Sequence, residues 1–369
     1  MRILVTGGAG FIGRRLVSSL LERGDEVVVV DSLEEQVHDR QDQSFPGDVR
    51  FLHGSVGDQT LVDQALEGVE RVVHLAAVVG PAQSMYEIAR YVERNTTSTS
   101  RFLECLVARR SQIDRVVVAS SMAIYGEGAA ECPSHGAARV TPREDAQLAS
   151  RRWELECPTC RDTLRPVGTS EGKALEPTTI YAISKRDQEE MCLVVGKAYS
   201  ISTIALRFFN VYGPGQAMSN PYTGVPAIFS TRLLNGKPPL IFEDGLQSRD
   251  FIHVSDVVRG ILLALEPTAA SGMAINIGTG RPVTVNEISS TLQRGLGLQI
   301  EPLRPNQYRA GDVRHCFADV SLAAELLGFR SIVSFEDGMG ELVGWLANAS
   351  GTDHVDHAAA ELARHGLTR

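Results

Sequence analysis

The sequence predicts an α/β protein built around a doubly wound parallel sheet. Its first apolar run ends in a glycine-rich turn that leads into a helix, all within residues 1–20. Further apolar runs then alternate with segments of helical periodicity up to about residue 212. This alternation is typical of parallel sheets with helices on both faces, and continuously apolar runs suit strands that are buried on both sides.

Strand-like and helix-like segments follow one another in order. Strands are predicted at Arg2–Thr6, Glu26–Val30, Arg50–Gly54, Arg71–Ala76, Arg115–Ser120 and Ser202–Arg207. Helices are predicted from about Phe11 and over Thr60–Leu66, Tyr86–Arg109 and Tyr181–Tyr199, where apolar residues recur with helical spacing. Ligands of such a sheet bind beyond the carboxyl ends of its strands, so the residues that follow each strand are candidate site residues.

The sequence pattern changes after about residue 212. Proline-rich and glycine-rich connections then separate short elements, which predicts a smaller lobe that closes over the sheet edge. We therefore divide the chain into a sheet domain of residues 1–212, a lobe of residues 213–345 and a C-terminal tail of residues 346–369. From Ser350 the tail is polar and rich in alanine, and it is expected to be a loosely attached helix or a frayed end.

Composition excludes several classes of partner. The chain has 369 residues, of which 43% are hydrophobic, and its formal net charge is −9. This acidity argues against a general affinity for nucleic acid or anionic membranes. No apolar run approaches the length needed to span a bilayer, and no signal peptide is visible, so the cytoplasm is the expected compartment. There the six cysteines should remain reduced.

The glycine turn predicts a dinucleotide site. Gly7, Gly10 and Gly13 would let the backbone approach a pyrophosphate, whose charge is met by free N–H groups at the start of the helix. The second strand leads into Asp31, which is placed to bind the adenosine ribose and would repel a 2′-phosphate. Residues 1–212 are therefore predicted to be a Rossmann domain that binds NAD rather than NADP. The alternatives are a turn that merely ends a strand and a solvated strand-end acid.

A second pattern predicts acid–base chemistry. Tyr181 and Lys185 lie four residues apart on one helix face, after the helix breaker Glu176-Pro-Thr-Thr. Together with a positive nicotinamide ring, the lysine could lower the pKa of the phenol and make it a general base for a hydroxyl group. Ser121, which follows a buried strand, could hydrogen-bond the reacting oxygen. An ordinary solvent-exposed pair of tyrosine and lysine is the alternative.

Several motifs together resemble the extended short-chain dehydrogenase/reductase family of nucleotide-sugar epimerases and dehydratases. The resemblance runs from Met1 to about Trp345. The motifs are Thr6-Gly-Gly-Ala-Gly-Phe-Ile-Gly13, Leu75-Ala-Ala77, Ser120-Ser-Met-Ala-Ile-Tyr-Gly126, Tyr181-x-x-x-Lys185, Arg207-Phe-Phe-Asn-Val-Tyr-Gly-Pro214 and Arg249-Asp-Phe-Ile-His-Val-x-Asp256.

The resemblance implies three groups of site residues. The catalytic residues would be Ser121, Tyr181 and Lys185. The NAD-binding residues would be Gly7, Gly10, Phe11, Ile12, Gly13, Asp31, Ser55, Val56, Leu75, Ala76, Ala77, Asn95, Ser120, Tyr181, Lys185 and Phe208. The nucleotide-sugar substrate would contact Met122, Ala123, Asn210, Thr223, Arg249 and Arg309. Surface ion pairs are the alternative for the two arginines.

Two departures from the family pattern affect the prediction. Ser55 and Val56 stand where the family often has an aspartate for the adenine amine, so that contact should come from backbone or hydroxyl groups. Met122 and Ala123 stand where dehydratases and decarboxylases of the family have acidic side chains. Neither can protonate a leaving hydroxyl, so the sequence favours epimerisation. A dehydratase, a decarboxylase, a single-pass reductase and a non-catalytic NAD-binding scaffold are the alternatives.

An insertion at residues 127–176 carries paired metal-ligand types. Cys132 and His135 form one short-spaced pair, and Cys157 and Cys160 form the other. Two such pairs predict a tetrahedral zinc knuckle, and four protein ligands would leave no position for a catalytic water, so the zinc should be structural. A reduced cluster without metal and a disulfide are the alternatives. The single cysteines Cys105, Cys192 and Cys316 are expected in the core.

The narrower resemblance is to 4-epimerases of dTDP-deoxysugars such as dTDP-L-rhamnose. It rests on the insert together with Gln83-Ser-Met-Tyr86, Ser219-Asn-Pro-Tyr-Thr-Gly224 and Tyr308-Arg-Ala-Gly-Asp312. UDP-glucose, UDP-glucuronate and other nucleotide sugars remain alternative substrates. The family resemblance also implies a homodimer formed by helices Tyr86–Arg109 and Tyr181–Tyr199.

Overall fold

The computed structural model describes residues 1–38, 45, 47–349 and 351–369. The strands are β1 Arg2–Thr6, β2 Glu26–Asp31, β3 Val49–His53, β4 Arg71–His74, β5 Arg115–Ser121, β6 Ala130–Cys132, β7 Gly136–Ala138, β8 Arg165–Pro166, β9 Ser202–Phe208, β10 Asn210–Tyr212, β11 Ser248–His253, β12 Ala274–Ile277, β13 Pro282–Thr284 and β14 His315–Cys316. The α-helices are α1 Phe11–Glu22, α2 Gln59–Ala65, α3 Ile88–Tyr91, α4 Ser98–Ala108, α5 Asp145–Ala149, α6 Ile180–Tyr199, α7 Val225–Leu234, α8 Val254–Leu265, α9 Val285–Leu296, α10 Ser321–Leu327, α11 Phe335–Leu346 and α12 Val355–Arg364.

A seven-stranded parallel sheet forms the centre of the fold, in the order β12-β9-β5-β4-β1-β2-β3. All six strands predicted from the sequence belong to it. In β1, an interior strand of the sheet, Ile3 and Val5 enter the core on one face while Leu4 enters the core on the other. The continuously apolar run is therefore explained by burial on both faces, and the Rossmann-like α/β prediction is confirmed.

The seventh strand comes from the segment assigned to the smaller lobe. Strand β12 pairs in parallel with β9, with Ile277 opposite Phe208. Helix α8 also packs into the core beneath the sheet, through Val257 and Ile261. Residues 1–212 and 213–345 are thus interleaved in space, because the sheet is completed from beyond residue 212.

The smaller lobe has its own sheet and core. Strands β10, β11 and β13 form it in that order, with β14 paired to β11. Helices α7, α9 and α11 cover this sheet and bury Phe229, Leu292 and Leu342 around Phe251. Strand β10 begins two residues after the carboxyl end of β9 in the central sheet, so the lobe faces the edge where ligands of such sheets bind.

The insertion folds on a small antiparallel sheet in the order β7-β6-β8. Its core is formed by Ala130, Val140, Leu155 and Leu164, which pack around the cysteines of the predicted metal cluster. Seven residues at most line that core, so hydrophobic burial alone gives this segment little stability.

The C-terminal tail is a helix that is attached more firmly than the sequence suggested. Ala358 and Leu362 on one face of α12 are each 5% exposed, and Asp356 of the same helix accepts a hydrogen bond from Arg232 of the lobe. Ser350, the first residue of the part of the tail predicted to be loosely attached or frayed, lies outside the described residues. Among the described helices, none combines the length and apolar character that crossing a bilayer requires.

Candidate functional site

One large cavity of about 1100 Å³ opens at the carboxyl ends of the parallel strands and extends beneath the smaller lobe. All the residues predicted to bind cofactor or substrate line it, with the exception of Asn95. The three predicted catalytic residues line it as well, near its middle. The four predicted zinc ligands lie elsewhere, in the insertion.

The glycine turn has the shape that a phosphate cradle requires. A Cβ on Gly7 would lie 2.8 Å from the backbone nitrogen of Ala76, and one on Gly13 would lie 2.3 Å from the carbonyl oxygen of Gly7. Gly7 also has a φ of +70°, which side chains rarely adopt. Helix α1 begins after Gly10, which has no side chain to cap it, and the first helical residues Phe11, Ile12 and Gly13 line the cavity, where their N–H groups can meet an anion.

Asp31 lines the next part of the cavity, at the end of β2. Its carboxylate accepts hydrogen bonds from the backbone N–H of Ala9, at 3.0 Å, and of Leu33, at 2.9 Å. Burial would raise the pKa of Asp31, but His38, 3.4 Å away, and these N–H donors outweigh that effect and lower the pKa. Asp31 is therefore a fixed carboxylate and not the solvated strand-end acid considered as an alternative.

Asn95 is placed differently from the other predicted cofactor residues. It is fully buried, and its side-chain amide bonds the backbone N–H and C=O of Val78 and the hydroxyl of Ser184. These bonds tie the loop after β4 to helix α6. Asn95 is thus positioned to shape the cavity wall from behind, since its amide is already used by protein partners.

Ser121, Tyr181 and Lys185 meet where β5 ends and α6 begins. Thr179 caps α6 by accepting a hydrogen bond from the N–H of Ala182 at 3.2 Å, so the helix starts just before Tyr181, as predicted. The phenol of Tyr181 hydrogen-bonds Ser121. The ammonium group of Lys185 donates to the carbonyl oxygen of Ala119 at 2.6 Å and to Gln188 at 2.8 Å.

The protonation of these groups is governed by burial. Burial raises the pKa of Tyr181, and the hydrogen bond with Ser121 lowers it only in part. Burial also lowers the pKa of Lys185 to about 8. The lowering of the tyrosine pKa expected from the sequence is therefore not produced by the protein alone, because Lys185 bonds the carbonyl oxygen of Ala119 and the Gln188 amide.

The surroundings of Ser121 are apolar. Met122 packs against Tyr125 and Phe209, and Ala123 lies beside the same cluster. In the described part of the chain, the carboxylates that line the cavity are Asp31, Glu34, Glu35 and Asp312. The first three follow β2, and the fourth is paired with arginines, so none of them is adjacent to Ser121 in sequence or along its strand.

Arg249 and Arg309 face the lobe side of the cavity. They share the carboxylate of Asp312, at 3.3 Å from Arg249 and 2.8 Å from Arg309. Burial would raise the pKa of Asp312, but the two arginines hold it at about 2. One carboxylate leaves the pair with net positive charge, so this part of the cavity can accept a further anion.

Some cavity residues were not found from the sequence. Leu240 and Phe242 lie on the lobe side, and the guanidinium group of Arg309 stands 5.0 Å from the centroid of the Phe242 ring. Helix α12 also lines the cavity, through Val355 and Ala359 among others. These residues lie in a loop and a tail with no motif, and only the amphipathic pattern of α12 could have drawn attention to some of them.

The predicted metal cluster assembles as expected from its spacing. Cys132 and His135 sit on the β6–β7 hairpin, and the side-chain atoms of all four predicted ligands lie within 4.8 Å of one another. Cys132 Sγ is 3.3 Å from His135 Nδ1 and 3.6 Å from Cys160 Sγ. The backbone N–H groups of Cys160 and Thr159 hold the pKa of Cys157 at about 6.

The insertion is joined to the lobe by buried ion pairs. Arg314, with a side chain that is 0% exposed, contacts Glu154 of the insertion and Glu243 and Asp244 of the lobe. Arg143 of the insertion contacts Glu243 at 2.9 Å and the carbonyl oxygen of Asp312 at 3.2 Å. The segment that carries Arg309 and Asp312 is thus held from the side of the insertion.

Comparison with known proteins adds two findings on the sequence. Residues 3–147 and 162–278 match the NAD dependent epimerase/dehydratase family, and the stretch between these matches contains Cys157 and Cys160. The chain is 33% identical to the dTDP-L-rhamnose 4-epimerase of Burkholderia thailandensis, in an alignment that covers 94% of this chain and 95% of that protein.

Solved structures are similar over the same extent. The crystal structure of UDP-glucose 4-epimerase from Thermotoga maritima with UDP-glucose has a TM-score of 0.77 and 32% identity, covering 94% of this chain and 99% of that one. The dTDP-glucose 4,6-dehydratase of Streptomyces venezuelae, with NAD bound, has a TM-score of 0.76 and 28% identity, covering 94% and 97%. Epimerases and dehydratases are therefore similar to this chain to nearly the same degree.

Proposed function

The chain belongs to the NAD dependent epimerase/dehydratase family, and from this premise we propose that it is an NAD-dependent nucleotide-sugar 4-epimerase. Its substrate would be a dTDP-deoxysugar such as dTDP-L-rhamnose. The choice of reaction rests on the apolar environment of Ser121, which is formed by Met122 and Ala123. Among the described residues, no carboxylate that lines the cavity lies at the end of β5. Epimerisation needs no acid for a leaving group, whereas dehydration does.

Each of the proposed site residues has its own role in this reaction. The cradle of Gly7 and Gly13 and the carboxylate of Asp31 fit NAD, which when bound supplies the hydride acceptor and donor and a positive ring that lowers the pKa of Tyr181. Tyr181 takes the proton of the sugar 4-hydroxyl and later returns it, and Ser121 hydrogen-bonds the same oxygen. Lys185 holds the nicotinamide ribose.

The substrate would lie across the rest of the cavity. Arg249 and Arg309 bind its diphosphate, since together with Asp312 they keep a net positive charge. Asn210 and Thr223 line the cavity between these arginines and Tyr181 in the proposed arrangement, where they would contact the sugar. After oxidation at C4, the 4-keto sugar must turn over before it is reduced on its other face.

The experiment that tests this proposal follows the hydrogen at C4. Incubated with dTDP-L-rhamnose in deuterium oxide, the enzyme should give a mixture of C4 epimers by NMR, with the original hydrogen at C4 and no net NADH. UDP-glucose and UDP-glucuronate are tested in parallel as alternative substrates. A dehydrated or decarboxylated product, stoichiometric NADH or solvent deuterium at C4 would exclude the epimerase. NAD binding without turnover of any of these sugars would favour the scaffold alternative.

We also propose that the insertion at residues 127–176 binds one structural zinc ion through Cys132, His135, Cys157 and Cys160. Two sulfur ligands of a tetrahedral zinc lie about 3.8 Å apart, given Zn–S bonds of about 2.3 Å, and Cys132 Sγ and Cys160 Sγ are 3.6 Å apart. The shorter Zn–N bond of about 2.0 Å brings a sulfur and an imidazole nitrogen closer together, and Cys132 Sγ lies 3.3 Å from His135 Nδ1. All six cysteines are free, which suits the reducing cytoplasm that we propose as the compartment.

Elemental analysis tests the zinc proposal. The purified protein should contain about one zinc per chain, and Cys157→Ser should lose both the metal and thermal stability. Cys105→Ser is the matched control, because Cys105 is buried outside the cluster and should leave the zinc content unchanged. Equal stability of the protein before and after zinc removal by a chelator would contradict the structural role.

The third part of the proposal is a homodimer formed by the helical segments 88–108 and α6. Both segments leave large apolar side chains in solvent, among them Ile88, Val92, Ile183 and Val194. Val194→Asp should therefore yield monomers in light scattering. Ile332→Asp is the control, since Ile332 is 74% exposed but lies away from these helices. A monomeric wild-type protein would overturn the dimer.

A further inference from the structure

The C-terminal segment of residues 351–369 is fixed to the lobe at the start of α12. Asp356 accepts hydrogen bonds from Arg232, at 2.6 Å, and from Lys237, at 2.9 Å. Asp353 lies 2.9 Å from the same lysine. The side chains of Arg232 and Asp353 are 4% and 3% exposed, so these ion pairs are partly protected from solvent and hold the helix in one orientation.

The end of the segment is fixed to the strand that carries Arg309. The backbone groups of Tyr308 and Arg369 exchange hydrogen bonds of 2.9 and 3.1 Å, and the N–H of Ala310 donates to the carbonyl oxygen of Leu367 at 2.8 Å. Thr368 lies directly opposite Arg309 in this pairing. The last residues therefore form a short β-bridge whose partner is the segment of the diphosphate-binding arginine.

Between these two attachments, α12 forms one wall of the cavity. Val355, Ala358, Ala359 and Leu362 line it, on the same side as Leu240 and Phe242. The ring of Tyr86 stacks on His365, with centroids 4.7 Å apart, and its hydroxyl bonds that of Tyr222, which also lines the cavity. The tail is thus built into the substrate side from both the lobe and the sheet domain.

We propose that residues 351–369 are part of the binding site for the nucleoside diphosphate half of the substrate. This inference rests on the proposed function, because it assumes that a nucleotide sugar occupies the cavity. An aromatic ring, aliphatic side chains and a cationic pair suit a ligand with a flat base at one end and a diphosphate beside it. Helix α12 completes the apolar part, and the bridge at Thr368 holds the backbone of Arg309 in place.

A pair of alanines on α12 tests the inference. Ala359 lines the cavity, whereas its neighbour Ala360 is exposed to solvent and is not part of the lining. Ala359→Glu adds bulk and a negative charge to the wall proposed for the nucleoside diphosphate and should weaken the binding of dTDP and UDP in calorimetric titrations by roughly tenfold or more. Ala360→Glu makes the same chemical change outside the cavity and should bind both nucleotides as the wild-type protein does.

Two further measurements separate the possible outcomes. Ala359→Lys adds similar bulk with the opposite charge and should bind both nucleotides more tightly than Ala359→Glu, even if added bulk itself weakens binding. The NAD content of every variant should equal that of the wild type. Unchanged nucleotide binding by Ala359→Glu, or an equal loss in Ala360→Glu, would overturn the inference alone. Failure of the wild-type protein to bind either nucleotide would overturn the proposed function as well.

Discussion

The two sides of the cavity are built in different ways. On the side proposed for NAD, Gly7, Asp31, Ala76 and Ser121 each lie at or just after the end of a strand of one parallel sheet. On the side proposed for the nucleotide sugar, most of the lining residues come from the lobe and the tail, which no single sheet aligns. The pairing register of the parallel strands positions the residues of the first side. Ion pairs between distant segments position those of the second side.

Ion pairs between residues that are distant in sequence matter most on the nucleotide-sugar side. Parallel pairing brings the ends of neighbouring strands to one edge without help from their side chains. The segment of Arg309 has no such support, and it is held instead by Arg143, Arg314 and the tail. Buried ion pairs add little to stability compared with apolar packing, but they fix one arrangement, and losing one partner is costly.

The largest expected effect comes from Arg314→Met. The substitution leaves Glu154, Glu243 and Asp244 without their shared cation, so the free energy of unfolding should fall by about 3–5 kcal/mol. Urea denaturation measures this loss. Arg165→Met is the control, because Arg165 forms an ion pair with Glu131 but is 74% exposed, and it should change stability by less than about 1 kcal/mol. A loss that small for Arg314→Met would mean that the network does not hold the substrate side.

Tyr181→Phe should have the next largest effect. It removes the proposed base but little volume, so turnover should fall by roughly 10² or more, while dTDP and NAD bind as before. Steady-state kinetics and nucleotide titrations measure the two quantities. Tyr91→Phe is a control that also changes a buried tyrosine, one whose ring lies 6.4 Å from that of Tyr181, and it should keep most of the turnover. Near-normal turnover of Tyr181→Phe would assign the role to another residue.

Asp31→Asn should separate the two sides. Loss of the charge weakens the proposed contact with the ribose of NAD, so NAD affinity should fall by roughly tenfold, with a smaller preference over NADP. The affinity for dTDP should not change, because Asp31 is on the other side of the cavity. Glu26→Gln on the same strand is the control, as Glu26 is 78% exposed. A parallel loss of dTDP binding would show that the sides are not independent.

The smallest expected effect concerns acid stability. The hydrogen bond from His315 is the main reason that the pKa of Glu154 falls from 4.5 to about 2. A carboxyl with a lowered folded-state pKa stabilises the protein above pH 4.5, and this contribution is lost as the pH falls toward 2. Glu154→Gln should therefore show a slightly shallower loss of stability below pH 4.5 in urea melts. Its side chain is 38% exposed, so the change should be small.

Glu131→Gln is the control for this pH dependence, because Glu131 is 42% exposed and pairs with an exposed arginine. Its stability profile should follow that of the wild type. If stability fell as steeply below pH 4.5 in Glu154→Gln as in the wild-type protein, protonation of Glu154 would not contribute to that loss. The acid sensitivity would then be assigned to Asp312, whose pKa is also held at about 2.

The sequence predicts one side of the cavity far better than the other. The glycine turn, Asp31 and the pair Tyr181 and Lys185 are recognisable because each signal lies within a few residues of chain. The pairing of Thr368 with Arg309 joins residues 59 positions apart, and Arg314 meets Glu154 across 160 positions. Contacts between residues so far apart leave no periodic pattern in the sequence, so the roles of the tail and of the ion pairs could not be predicted.

Two residues show the limits even on the better side. Asn95 belongs to the motif-based set, yet its amide is occupied by Val78 and Ser184, a fact that depends on how α6 packs. Lys185 together with a positive nicotinamide ring is predicted to lower the pKa of Tyr181, and in the protein alone its ammonium group bonds the carbonyl oxygen of Ala119 and the Gln188 amide. Motifs predicted where these side chains belong in the fold, while the direction of their hydrogen bonds followed from tertiary packing.

The origin of strand β12 has a consequence for synthesis on the ribosome. Strand β9 ends at Phe208, but the strand that covers its free edge begins only at Ala274. While the residues between them are being translated, β9 is an open edge with unpaired backbone groups, and such an edge can pair with another chain. A fragment ending at residue 212 keeps that edge permanently. Chaperone demand should therefore peak during translation of this interval, and shortened forms of the protein should aggregate more readily than the full chain.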